Sequence, residues 1–159
     1  MKRRQVVAVI GAGDAPPAVC KLAFELGTEI ARCGAVLLNG GRAGVMESAA
    51  AGARKEGGHT IGILPGSDRH AANRHIEFAI ATGIGEARNA VIIASADAVI
   101  ALAGEGGTLA EIGFAKKFGK PVVALESWRE IDGLHRADTP ADAVALALKL
   151  AMSKSRRRN

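Results

Sequence analysis

Six short apolar runs punctuate the chain: Gln5–Ile10, Ala35–Leu38, Thr60–Leu64, Phe78–Ala81, Ala98–Leu102 and Pro121–Leu125. They are nearly continuous rather than alternating. Strands with one wet face alternate apolar and polar residues, whereas strands covered on both faces read as unbroken Val, Ile, Leu and Ala. Such strands belong to a mostly parallel sheet with helices on each side.

The intervening segments supply those helices. Pro16 and Pro17 suit a first helical turn, and Val19, Leu22, Ala23, Leu26 and Ile30 recur at helical spacing until Gly34 ends the pattern. Further helices are expected from Val45 to about Glu56, Gly85 to Ala94, Thr108 to Phe118 and Ala141 to Met152, with a polar loop over 67–75. At 159 residues the chain has the length of one domain. It is expected to form an α/β fold: a doubly wound, mostly parallel, Rossmann-like sheet of about six or seven strands with helices on both faces. The domain spans 5–152, between a basic N-terminal tail, 1–4, and a basic C-terminal tail, 153–159.

The net charge of +5 belongs to those tails. Seven Lys and Arg residues lie in them without an acid, which leaves the body at −2. Basic ends attract polyanions, but solvated, frayed ends are the favoured reading, and nucleic acid is not the expected partner. Aromatics are 3% of residues, with one Trp and no Tyr, so a base-stacking platform is not expected. Cys20 and Cys33 fall on one expected helix, about 20 Å apart and on different faces, too far to pair. They read as buried thiols of a reducing compartment. With no apolar run of membrane-spanning length and no signal sequence, the expected location is cytoplasmic. His59, His70, His75 and His135 show no metal-ligand arrangement, and no metal is expected.

Glycine-rich loops follow the first, second and fifth runs. Gly11 and Gly13 follow the first; Asn39, Gly40, Gly41, Arg42 and Gly44 the second; Gly104, Gly106, Gly107 and Thr108 the fifth. In an open parallel sheet ligands lie outside the carboxyl ends of the strands, where helix N-termini offer free N–H groups and partial positive charge. Three such loops on one edge point to phosphate or another anion, beyond the bland reading as tight turns. Pro16 replaces the third glycine of a dinucleotide fingerprint, and no acid follows the second strand to hold a ribose. The G-K-[ST] of a P-loop is absent as well.

Gly40-Gly41-Arg42-Ala43-Gly44-Val45-Met46-Glu47, Gly62-Ile63-Leu64-Pro65-Gly66, Arg88-Asn89, Asp97 and Gly107-Thr108-Leu109-Ala110-Glu111 together resemble the Lonely Guy (LOG)-like, or lysine decarboxylase-like, Rossmann superfamily. The resemblance covers residues 6–125, and its wording is most similar to the molybdenum cofactor carrier branch. Cytokinin-activating phosphoribohydrolases of that superfamily carry P-G-G-x-G-T-x-x-E with an Arg fifteen residues before its Pro. Here Ala103 and Glu105 replace the Pro and the second Gly, while Gly107, Thr108, Glu111 and Arg88 are retained. The resemblance implies Glu111 as the carboxylate at an N-glycosidic bond and Arg88 as the residue orienting substrate. Glu105 places a negative charge where backbone approaches the 5′-phosphate.

Each residue has a structural alternative. Thr108 and Glu111 spell a capping box, Arg88 fits a snorkelling surface residue, Asn39 a turn cap and Arg42 a solvated loop tip. Three functions stay open. The first is a carrier of a phosphorylated pterin or nucleotide, with molybdenum cofactor as bound cargo and no cofactor required. The second is a phosphoribohydrolase acting on nucleoside 5′-monophosphates. The third is a DNA-interacting protein akin to DNA-processing protein A. Lysine decarboxylation is rejected for so short a chain. A homodimer or homotetramer is expected by the same resemblance.

Overall fold

Along the first strand, Val7 and Val9 face one side and Ala8 and Ile10 the other, and all four are buried. In the computed structural model, which describes residues 3–156, this strand lies at the heart of a seven-stranded sheet. The strands are β1 (Val6–Ile10), β2 (Val36–Asn39), β3 (Thr60–Leu64), β4 (Phe78–Ala81), β5 (Ala98–Ala101), β6 (Val122–Leu125) and β7 (His135–Ala137). Their order is β4-β3-β2-β1-β5-β6-β7, and every neighbouring pair is parallel. The expected doubly wound α/β fold is present.

Helices cover both faces. α1 (Pro17–Arg32), α2 (Val45–Lys55) and α5 (Pro140–Arg156) contribute Leu26, Ile30, Ala49 and Val144 to one core layer with Val7, Val9 and Leu37. α3 (Arg88–Ser95) and α4 (Gly106–Lys117) contribute Ile92, Ile93, Ile112 and Ala115 to the other, with Ala8, Ile10 and Val99. α1 and α2 meet at backbone distance. A methyl group on Gly27 would overlap the carbonyl oxygen of Ala49, and one on Gly52 that of Phe24.

Several expectations are corrected. β7 has no counterpart among the six apolar runs, because His135-Arg136-Ala137 is a three-residue edge strand that buries little. The helix expected from Gly85 begins as a 3-10 turn, Gly85–Ala87, before α3. A second 3-10 turn, Arg69–Ala71, interrupts the expected loop. α4 starts two residues early, at Gly106 with Glu105 as its N-cap, so Thr108 is not a cap and no capping box forms. Helix α5 continues to Arg156, beyond the boundary at 152. Of the tails, Arg3 and Arg4 are exposed, while residues 1, 2 and 157–159 lie outside the described residues. The cysteines are not buried: Cys20 is half-buried and Cys33, just past α1, is exposed. No helix among the described residues is long and apolar enough to cross a membrane.

The α1–α2 contact makes a sharp stability test. Gly27→Ala should lose about 1–3 kcal/mol by overpacking, a fall of several degrees in Tm. Gly113→Ala, on an exposed turn of α4 where a methyl meets nothing, should gain about 0.5–1 kcal/mol from helix propensity. Thermal and urea unfolding of the two variants measures both.

Candidate functional site

The strand order reverses between β1 and β5, which parts the loops that follow them and opens a crevice at the carboxyl edge. A cavity of about 390 Å³ lies there. It is lined by Gly11–Asp14 after β1, by Arg42, Ala43 and Met46 after β2, by Glu86, Arg88 and Asn89 around the start of α3, and by Glu105, Gly107, Thr108 and Glu111 at the start of α4.

Hydrogen bonds stitch these loops together. Ala12 N–H donates to the Ala103 carbonyl (3.0 Å), and Val45 N–H donates to the Ala12 carbonyl (3.0 Å). Gly44 sits at φ +65°, and a methyl there would overlap the Ala12 and Gly13 carbonyls, so only glycine closes this junction. Asn73 binds the β2 loop from outside: its N–H donates to the Gly41 carbonyl (2.9 Å) and its Nδ2 to the Arg42 carbonyl (2.8 Å).

Arg88 is the central side chain. It is buried, and its Nη1 donates to the Ile63 carbonyl (3.0 Å) near the end of β3. A methyl group on Gly40 would overlap that same Nη1, so the glycine makes room for the guanidinium. Among the described residues, Arg88 Nε is buried without a hydrogen-bond partner. Burial draws the guanidinium below its usual pKa, against the opposing fields of Glu86 and Glu111. An arginine keeps its charge even so. The surface, snorkelling reading of Arg88 is thus corrected.

Glu111 is buried six positions into α4. No ion pair within 4.0 Å joins it to Arg88 among the described residues. Burial pushes its carboxyl up to about 8, with Arg88 pulling the other way and Glu86 adding to the rise. At neutral pH it is largely protonated and can donate a hydrogen bond. Gly107 and Thr108, in the first turn of α4, bring the helix N-terminus to the cavity. The Glu105 side chain makes no capping hydrogen bond.

Of the residues singled out from the sequence, Gly11, Gly13, Arg42, Arg88, Gly107, Thr108 and Glu111 line the cavity. Gly40, Gly41, Gly44, Gly104, Gly106 and Asn39 do not. Gly104 leaves space for the Thr108 hydroxyl. The Asn39 side chain braces its loop against α2: Oδ1 accepts from Gly41 N–H (2.8 Å) and Nδ2 donates to the Met46 carbonyl (2.9 Å). Sequence reasoning passes over Asp14, Glu86 and Asn73, which nothing in the spacing marks; Met46 and Asn89 stand within the quoted motifs but carry no role there. Asp14, Glu86, Glu105 and Glu111 give the lining four acids against two arginines, and among the described residues they form no metal-holding cluster.

The model of the SLOG cluster4 family matches residues 4–152. A molybdenum cofactor binding protein from Rippkaea orientalis is a close structural neighbour, 38% identical with a TM-score of 0.88, the match covering 94% of this chain and 99% of that one. The molybdenum cofactor carrier protein of Chlamydomonas reinhardtii is 35% identical with a TM-score of 0.87 over the same shares. A cytokinin riboside 5′-monophosphate phosphoribohydrolase of Mycobacterium tuberculosis is 33% identical over 123 residues, 72% of this chain and 66% of the enzyme.

The raised pKa of Glu111 has a measurable consequence. A carboxyl whose folded pKa lies above its unfolded value favours the fold at low pH and loses that contribution as pH rises toward the folded pKa. Wild-type stability should therefore fall relative to Glu111→Gln between about pH 4.5 and pH 8 and run parallel above. The gap should widen by about 5 kcal/mol, as read by urea unfolding across that range.

Proposed function

We propose that this chain, which belongs to the SLOG cluster4 family, is a binding or carrier protein for a phosphate-bearing small molecule, a phosphorylated pterin such as molybdenum cofactor or a nucleotide. The observation that carries this reading is the buried Arg88 guanidinium, which lines the cavity beside the N-terminus of α4 with its Nε unpartnered. A buried cation with free donor capacity calls for an anion. Arg42 and Arg88 hold the phosphate together with the N–H groups opening α4. Protonated Glu111 donates to an acceptor on the ligand, and Asp14 and Glu105 at the rim accept from ring N–H and amino groups of the kind that pterins and purines carry. The similarity to molybdenum cofactor carrier and binding proteins over nearly the whole chain supports the pterin.

Hydrolysis is the second reading, favoured by the meeting of Arg88 and Glu111 in one cavity and by the likeness to the mycobacterial enzyme. In it, an ionised Glu111 would stabilise the oxocarbenium-like state at the N-glycosidic bond while water attacks. One feature weighs toward carriage. Glu111 is largely neutral at pH 7, whereas stabilising an oxocarbenium-like state needs a negative carboxylate.

Incubation of the purified protein with a panel of nucleoside 5′-monophosphates, followed by chromatography for free base, separates the readings. The carrier reading expects binding without base release, and a fluorescent pterin oxidation product from protein purified out of a molybdenum-supplied host. Arg88→Gln should weaken binding about 10- to 100-fold, while Glu111→Gln changes affinity little. Steady release of base, lost about 10²–10³-fold in Glu111→Gln, would instead establish the hydrolase.

The reading includes a homodimer or homotetramer. Phe78 and Ile80 share the α3 side of β4 and are about half exposed, an apolar strip that a second copy would cover. Light scattering at micromolar concentration should give a multiple of 16.3 kDa. Phe78→Lys with Ile80→Lys should shift it toward the monomer.

A further inference from the structure

Glu86 stands between the two arginines of the cavity. One of its carboxylate oxygens lies 3.6 Å from Arg42 Nη1 and the other 3.8 Å from Arg88 Nη2. Asn89 Nδ2 adds a long contact of 3.5 Å to the second oxygen. A phosphate engaging both guanidinium groups would need the volume that this carboxylate holds. The pairing is nevertheless loose. Both distances exceed a good charge-assisted hydrogen bond, the Glu86 side chain is 66% exposed, and it sits on the single 3-10 turn Gly85–Ala87, with glycines at positive φ at 83 and 85. The side chain can therefore swing into solvent without disturbing the core.

Resting on the phosphate-binding reading of this cavity, we propose that Glu86 is a built-in competitor for the ligand's anionic group. Its carboxylate bridges Arg42 and Arg88, and a ligand must displace it to engage both. The consequence is selectivity by charge. A dianionic phosphate monoester outcompetes a single carboxylate on two cations, whereas a neutral analogue gains nothing at this end of the cavity. With Glu86 close by, an incoming dianion also meets a repulsion that lowers its affinity, which suits a site that must give its ligand up. Glu86 is a specificity-determining residue in this account. Asp14, Glu105 and Glu111 line the same cavity, but among the described residues none is ion-paired to either arginine as Glu86 is.

The test compares wild-type protein with Glu86→Gln, an exposed and nearly isosteric change, by calorimetric titration with GMP and with guanosine. Glu25→Gln, on α1 outside the cavity lining, controls for net charge. Removing the competing charge should raise GMP affinity about fivefold, the scale of one near-surface charge–charge contact, and leave guanosine unchanged. The variant should also show a steeper loss of GMP affinity between 50 and 500 mM salt, because two cations are then uncompensated. In an Arg42→Gln background most of the fivefold gain should vanish. Binding of GMP by Glu86→Gln but not by wild type would also support the proposal. Equal or weaker GMP binding by Glu86→Gln, with wild type binding GMP, would overturn it and leave the phosphate reading standing. Failure of both proteins to bind GMP or inorganic phosphate would overturn both.

Discussion

All seven strands run in one direction, and the consequences of that constraint reach every part of the molecule. A parallel strand needs a crossover to return the chain to the starting edge, so each strand's exit loop opens on the same side. The reversal of order between β1 and β5 then separates two of those loops and leaves a crevice between them. Residues distant in sequence, from Gly11 to Glu111, converge there because the topology leaves them nowhere else to go. The loops are further bound to one another through Ala12, which accepts from Val45 and donates to Ala103.

Within the crevice, burial acts on opposite charges in different ways. Arg88 and Glu111 are both buried and share one wall, yet they form no close pair that would offset desolvation. The carboxyl relieves the penalty by holding its proton. The guanidinium cannot give one up at any ordinary pH, so it keeps its charge and takes a backbone carbonyl, Ile63, as partial compensation. The result is a fixed cation with spare donors beside a neutral hydrogen-bond donor. That is a combination suited to acceptor-rich anions.

The glycines divide into two kinds of work. Gly11, Gly13 and Gly107 reach the cavity surface, as their position after strands implied. Gly40, Gly44 and Gly104 stand behind it, where each leaves room for one neighbour: the Arg88 guanidinium, the Ala12–Gly13 backbone and the Thr108 hydroxyl. Sequence reasoning placed the glycine loops on the correct edge but could not separate surface from support. Loop composition records that a side chain is excluded, not which neighbouring atom excludes it. Asn39 is a similar case: its position at a strand end beside two glycines suits a ligand contact as well as a loop brace, and only the hydrogen bonds to Gly41 and Met46 distinguish the two.

The layered α/β architecture, the order of its main elements and the gathering of the glycine loops at the carboxyl edge are legible in the sequence alone. Those follow from local periodicity and from continuous apolar runs, which need no knowledge of distant partners. The short edge strand His135–Ala137 escaped it because a strand that buries little carries no such signal. The true start of α4 escaped it too, since T-x-x-E spelled a cap two residues into the helix. The burial of Arg88, the raised pKa of Glu111 and the bridging of Arg42 and Arg88 by Glu86 come from the assembled fold. Each of these depends on what other loops bring within a few ångströms, and electrostatic environment is a property of that assembled neighbourhood rather than of any segment in it.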